Sequence, residues 1–137
     1  MGEDPLTMKD IYKIGDRKEF KRRVSLKDIA SFDEGDVHQV YATFALGRDA
    51  EWCSRLFVLD MKEADEEGIG TFLKVQHHSP ALLNEEVQIE ATIQSLQRNE
   101  LICAYIAKVG ERIIASGETG QKIIKKDKLR QLFDSLK

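Results

Sequence analysis

Several things are missing from this chain, and each absence narrows the field. No apolar run reaches the roughly 18 residues that a membrane-spanning helix needs, so no span is expected. Cysteine is scarce: Cys53 and Cys103 stand far apart, which suits a reducing cytosol better than a disulfide scaffold. Neither sign of charge dominates, since 21 basic residues face 24 acidic ones for a net −3. That balance gives no electrostatic reason to expect nucleic acid or an anionic membrane as partner. The opening MGEDPLT lacks the basic and then apolar order of a signal peptide, and it does not read as a myristoylation site. Repeats, low-complexity tracts and linkers are missing too.

What remains is an ordinary globular composition, 42% apolar and 33% charged over 137 residues. A chain of that length forms one domain and buries about two-thirds of the surface it would expose unfolded. The expectation is a cytoplasmic protein with a loose arm over 1–16, carrying at most a turn of helix near 8–12, and one domain over 17–137.

The stretch Tyr41–Met61 organises the rest. Leu46, Ala50, Cys53 and Phe57 recur at helical spacing, and Phe44, Trp52, Leu56 and Leu59 add bulk off that face. The pattern predicts a helix covered on more than one side, with Glu51 in the middle of it. Thr43 stands at the start, where a hydroxyl can cap free backbone N–H groups. In a regular helix Glu51 lies about 12 Å further along and about 80° round.

Around this helix the sequence predicts the following order. Residues 17–24 alternate weakly as an edge strand whose basic run, Lys18, Lys21, Arg22 and Arg23, protects the edge. Ser25 caps a short helix in which Leu26, Ile29 and Phe32 share a face. DEGDVHQ is a break before the long helix, which ends near Met61–Ala64 in an acidic exit loop. From Ile69 the period changes to two. Ile69, Thr71, Leu73, Val75 and His77 fall on the core side, and His78 on the other, until Pro80 ends the strand. Strands follow over 86–94 and 101–109, the second apolar on both faces, then a last strand broken by Gly117 and Gly120, and an amphipathic helix from Asp127.

A helix this apolar must lie against the sheet. His77 then faces the helix that carries Thr43 and Glu51. A hydroxyl, an acid and an imidazole converging in an apolar pocket suit general-base or nucleophilic chemistry. The plainer readings are a helix cap for Thr43 and a hydrogen-bonded core residue for His77. Glu51 is harder to set aside, because an unpaired buried carboxylate costs several kcal/mol.

The strings VYATFALGRDAEW and GIGTFLKVQHHSP resemble the fluoroacetyl-CoA thioesterase-like branch of the hotdog-fold proteins. That branch reads A-T-P, an acid eight residues after the Thr, and later G-T-x-x-x-V-x-H-x-x-P. Ala42, Thr43, Glu51, Gly70, Thr71, Val75, His77 and Pro80 stand in register with it, and the resemblance covers Val37 to Ile124. It implies an α+β hotdog domain, an antiparallel sheet wrapped round one central helix, paired into a homodimer or a larger assembly with acyl-CoA sites at the interface. Thr43, Glu51 and His77 take the catalytic roles, and Phe44, Gly70 and Thr71 contact substrate. No metal or cofactor is implied beyond the CoA thioester that is the substrate.

The departures are Phe44 in place of the Pro, Asn84 where a Gly is usual, and GETGQ over 117–121 where the branch reads G-T-H-x-R. Asn tolerates a left-handed turn, so the bend at Asn84 is expected to survive. The altered late segment removes basic residues from the substrate end and suggests an alternative, a non-catalytic acyl-CoA-binding hotdog protein. A hydratase reading rests only on Asp36 and His38, whose spacing does not match that motif. Cys103, Tyr105 and Ala107 are expected near the subunit contact.

Overall fold

The computed structural model describes residues 9–32 and 35–137, and side chains only outside 31–38. Asp36 and His38, with the N-terminal end of the arm, therefore lie outside the described side chains. In chain order the elements are β1 (Arg17–Arg23), a 3-10 turn (Leu26–Asp28), β2 (Ile29–Phe32), β3 (Gly35–Tyr41) and α1 (Thr43–Met61). They continue with β4 (Glu66–His77), β5 (Glu86–Gln97), β6 (Glu100–Val109), β7 (Arg112–Lys125) and α2 (Lys126–Ser135). Five strands form one antiparallel sheet in the order β1-β5-β6-β7-β4, and β2 and β3 pair separately.

Strict alternation builds the sheet. Val87, Ile89, Ala91 and Ile93 on β5, with Leu101, Cys103, Tyr105 and Ala107 on β6, turn inward and are buried. They meet Ala45, Leu46, Ala50, Cys53, Phe57, Val58 and Met61 of α1 in one core. Cys103, Tyr105 and Ala107 thus pack inside their own chain, and the expectation that they approach a subunit contact is corrected. Their inward face is covered by α1, while the other face of the strand, with Ile102 and Ala104 half-buried and Ile106 exposed, stays accessible.

Other expectations also change. The helix read into 26–32 is a single 3-10 turn, because Leu26 is 69% exposed while Ile29 is buried, so the two share no face. Ser25 does cap it, accepting from Lys27 N at 3.3 Å. The break before α1 is strand β3, paired with β2. One sheet covers only one face of a helix, and Phe44, Trp52 and Leu59 remain 62%, 40% and 42% exposed. The basic run on β1 is largely paired: Lys18 with Asp60 at 2.9 Å, Arg22 with Asp49 at 3.1 Å and Arg23 with Glu86 at 3.6 Å. Asn84 adopts φ +73°, so the left-handed bend is kept. In the described residues no helix is long and apolar enough to cross a membrane.

β7 runs unbroken through its glycines, and Gly117 is needed for contact rather than for a bend. A Cβ there would stand 1.8 Å from the Lys74 carbonyl oxygen and 2.7 Å from the Tyr105 hydroxyl, which donates to that same carbonyl at 2.8 Å. Gly117→Ala is expected to lower stability by about 3 kcal/mol, the scale of a forced backbone shift in a packed core. Urea unfolding of the variant against wild type measures it, and an unchanged midpoint would show that the sheet can yield there.

Candidate active site

Thr43 is the first residue of α1, not its cap. The capping position is Ala42, which makes no side-chain hydrogen bond to the first turn. The exposed Thr43 hydroxyl instead shares a hydrogen bond with His77 Nε2 at 2.9 Å. His77 reaches it from the end of β4 on the side facing α1, but it is exposed there and not turned into the core as the alternation predicts. His78 points away and bonds Ser116 Oγ at 2.8 Å. A cavity of about 410 Å³ opens here, lined by Ala30, Val40, Tyr41, Thr43, His77 and Pro80 among others.

A bulge alters the rest of the strand. Gly70 pairs with Gln121 and Phe72 with Gly120, leaving Thr71 as the extra residue. The predicted face of Ile69, Thr71, Leu73, Val75 and His77 is therefore split at Thr71. Gly70, seven residues from His77, joins it on the side facing α1. A Cβ on Gly70 would come within 3.1 Å of Glu51 Oε1, so the missing side chain makes room for the carboxylate. Glu51 is half-buried, and its backbone oxygen accepts from Gln121 Nε2 at 3.3 Å.

The candidate residues thus fall into two groups within one chain. Thr43 and His77 touch at one end of β4, while Glu51 and Gly70 meet further up the strand. Thr71 is exposed beside Gly70, and Phe44 projects to solvent next to Thr43.

The buried acid of α1 is Asp49, which the sequence reading missed. It is 1% exposed, three residues after Leu46 and four before Cys53, squarely on the buried stripe. Arg22 grips it through Nε and Nη2 at 3.2 and 3.1 Å, Arg48 through Nε at 3.0 Å, and the Tyr41 hydroxyl donates to it. Burial, and then the Asp49 carboxylate, push the Tyr41 phenol far above its ordinary range, so it remains a donor. Arg48 also reaches Asp28 Oδ1 at 2.8 Å, and Ser25 donates to Asp28 Oδ2 through its N–H and its hydroxyl, each at 3.0 Å.

The family described as fluoroacetyl-CoA-specific thioesterase matches residues 24–127. The chain belongs to it. With that membership and this fold, it is a thioester hydrolase of the hotdog class. A hypothetical protein of Thermus thermophilus, described as a thioesterase superfamily member, is 28% identical; the match covers 98% of this chain and 95% of that one, with a TM-score of 0.86. The fluoroacetyl-CoA thioesterase FlK is 20% identical over 92% of this chain and 98% of its own, with a TM-score of 0.84. A hot-dog-like protein of Thermanaerovibrio acidaminovorans is 15% identical over 90% and 92%, at 0.81. No curated protein matches the sequence.

One acid of this cluster, Asp28, makes stability depend on pH. Burial pushes the Asp28 carboxyl up from its ordinary 3.8, but the Arg48 guanidinium and the Ser25 donors outweigh it and hold the group below that value. A carboxyl depressed in the folded state stabilises above its unfolded pKa, and that contribution disappears as pH falls through the lower folded value. Asp28→Asn is therefore expected to cost about 2 kcal/mol at pH 7. The gap to wild type should close below about pH 4, which a series of denaturant melts from pH 7 to pH 2 would show.

Proposed function

We propose that the chain hydrolyses a small or medium acyl-CoA thioester in a pocket that two copies build together. The observation that carries this is the split of the motif residues along β4, with Thr43 at His77 and Glu51 at Gly70. β4 is an edge strand, and its Phe72 and Leu73 are each 42% exposed. An apolar edge with no partner is a template for another strand. Antiparallel pairing of β4 with its own copy, about a two-fold axis between Leu73 and Lys74, sets Gly70 opposite the partner's His77. Glu51 of one copy then faces the Thr43 and His77 of the other.

In that pocket the Thr43 hydroxyl and the uncapped N–H groups of α1 polarise the thioester carbonyl. Either Glu51 takes the proton from a water that adds to the carbonyl carbon, or its carboxylate attacks that carbon to give a mixed anhydride that water then hydrolyses. In both routes the C–S bond breaks, His77 gives a proton to the departing sulfur, and the products are a carboxylate and free CoA. Structures of FlK hold fluoroacetate with CoA, and acetyl-CoA, which supports a short acyl chain as the first substrate to test. The late segment Gly117–Gln121 lacks basic residues, so no preference for a fluorinated acyl group is assigned. Two buried, unpaired cysteines agree with a reducing cytoplasm.

His77→Ala is expected to slow hydrolysis by about a hundredfold, the scale of an acid–base group, whereas His78→Ala keeps most activity. A screen across acyl-CoA chain lengths reads both. Equal losses would place the imidazole role wrongly.

Mixing impaired chains tests the shared pocket. Glu51→Gln and His77→Ala are each expected to keep about one per cent of the activity or less, but in a mixed dimer one of the two sites holds an intact Glu51 and an intact His77. Equal amounts, allowed to exchange, are expected to recover about a quarter of the wild-type rate, since half the dimers are mixed. No recovery would confine each site to a single chain.

A further inference from the structure

We infer that Asp49 is a positioning residue for the reaction, holding the start of α1 so that Thr43 meets His77. The need arises because the N-cap residue of α1, Ala42, makes no side-chain bond that would fix the first turn and with it Thr43. The restraint comes from a turn and a half further into the helix. Asp49 accepts from the hydroxyl of Tyr41, two residues before Thr43. Arg48 ties Asp49 to Asp28, and the backbone oxygen of Asp28 accepts from Ala42 N at 2.7 Å. Tyr41 N bonds Ala81 O at 2.8 Å. Both residues that lead into Thr43 are thus held, one through its ring hydroxyl and one through its backbone N–H.

The composition of the cluster fits holding rather than chemistry. Two carboxylates, Asp28 and Asp49, face two guanidiniums, Arg22 and Arg48, so the formal charges cancel. Asp49 is closed off from solvent and has three side chains donating to it, which leaves it unsuited to attack a substrate. Its effect must pass through Tyr41 and the turn after it. A misplacement of about 1 Å at a reacting group can cost about a hundredfold in rate, so small slack at Tyr41 matters.

The inference rests on Thr43 and His77 acting in thioester hydrolysis, and Tyr41→Phe tests it by removing only the hydroxyl. The expected result is a kcat lower by about tenfold with KM unchanged within about twofold, measured well below the melting temperature on the best acyl-CoA found. Ser54→Ala removes a buried hydroxyl that accepts from Thr119 at 2.7 Å, away from the cluster, and controls for lost stability alone. It is expected to keep its kcat. A Tyr41→Phe enzyme that melts lower but keeps its kcat would overturn the inference, as would an equal kcat loss in Ser54→Ala. An active wild type with an unaffected Tyr41→Phe sinks this inference alone, while a wild type that hydrolyses no acyl-CoA sinks the thioesterase reading. In that second case the His77 Nε2 nitrogen resonance still decides the positioning claim. It should move in Tyr41→Phe as it does in Thr43→Val, and a resonance unmoved by Tyr41→Phe would overturn the claim.

Discussion

The close approach of α1 to β4 is the constraint on which the site depends. Three missing side chains permit it. A Cβ on Gly47 would lie 2.8 Å from Leu73, one on Gly68 2.5 Å from Val58, and one on Gly70 3.1 Å from Glu51. Protein interiors are packed too densely to absorb added methyl groups at such distances without a shift. With the helix this near, a short Thr side chain on its first residue can reach an imidazole on the strand. A side chain at any of these glycines would first have to displace Leu73, Val58 or Glu51, the side chains that fill the space between α1 and β4.

Most of the architecture was legible in the sequence because it rests on periodicity. The helix bounds near Thr43 and Met61, the alternation of β5 and β6, and the opposite pointing of His77 and His78 follow from periods of 3.6 and two. The motif spacing went further and indicated the family. The errors have a common physical source, which is that pairing in space leaves no local trace. Thr43 has the chemistry of a cap, yet its hydroxyl is drawn to a histidine 34 residues away. The bulge at Thr71 changes faces midway along a strand whose residues alternate acceptably either way.

The acids of α1 show the same limit. Glu51 drew attention because it lies among apolar residues in the sequence. Asp49 escaped it, although it alone falls on the buried stripe. Its two arginines come from β1 and from the adjacent position on α1, and only the folded chain brings the first of these near. Helical spacing measured from Leu46 and Cys53 would have found the buried acid and its neighbour Arg48; the sequence carries no sign of Arg22, which the fold brings in from β1.

The two borders of the main sheet are unlike. β1 offers a short border crowded with lysine, arginine and glutamate, while β4 offers a long one with exposed Phe72 and Leu73. Were both borders greasy, each copy could accept a neighbour on either side, and the molecules would string together into an endless ribbon. In the proposed pairing, one apolar border and one charged border would stop growth at the first partner. The same asymmetry that suits the proposed pairing of β4 with its own copy also works against a fibre.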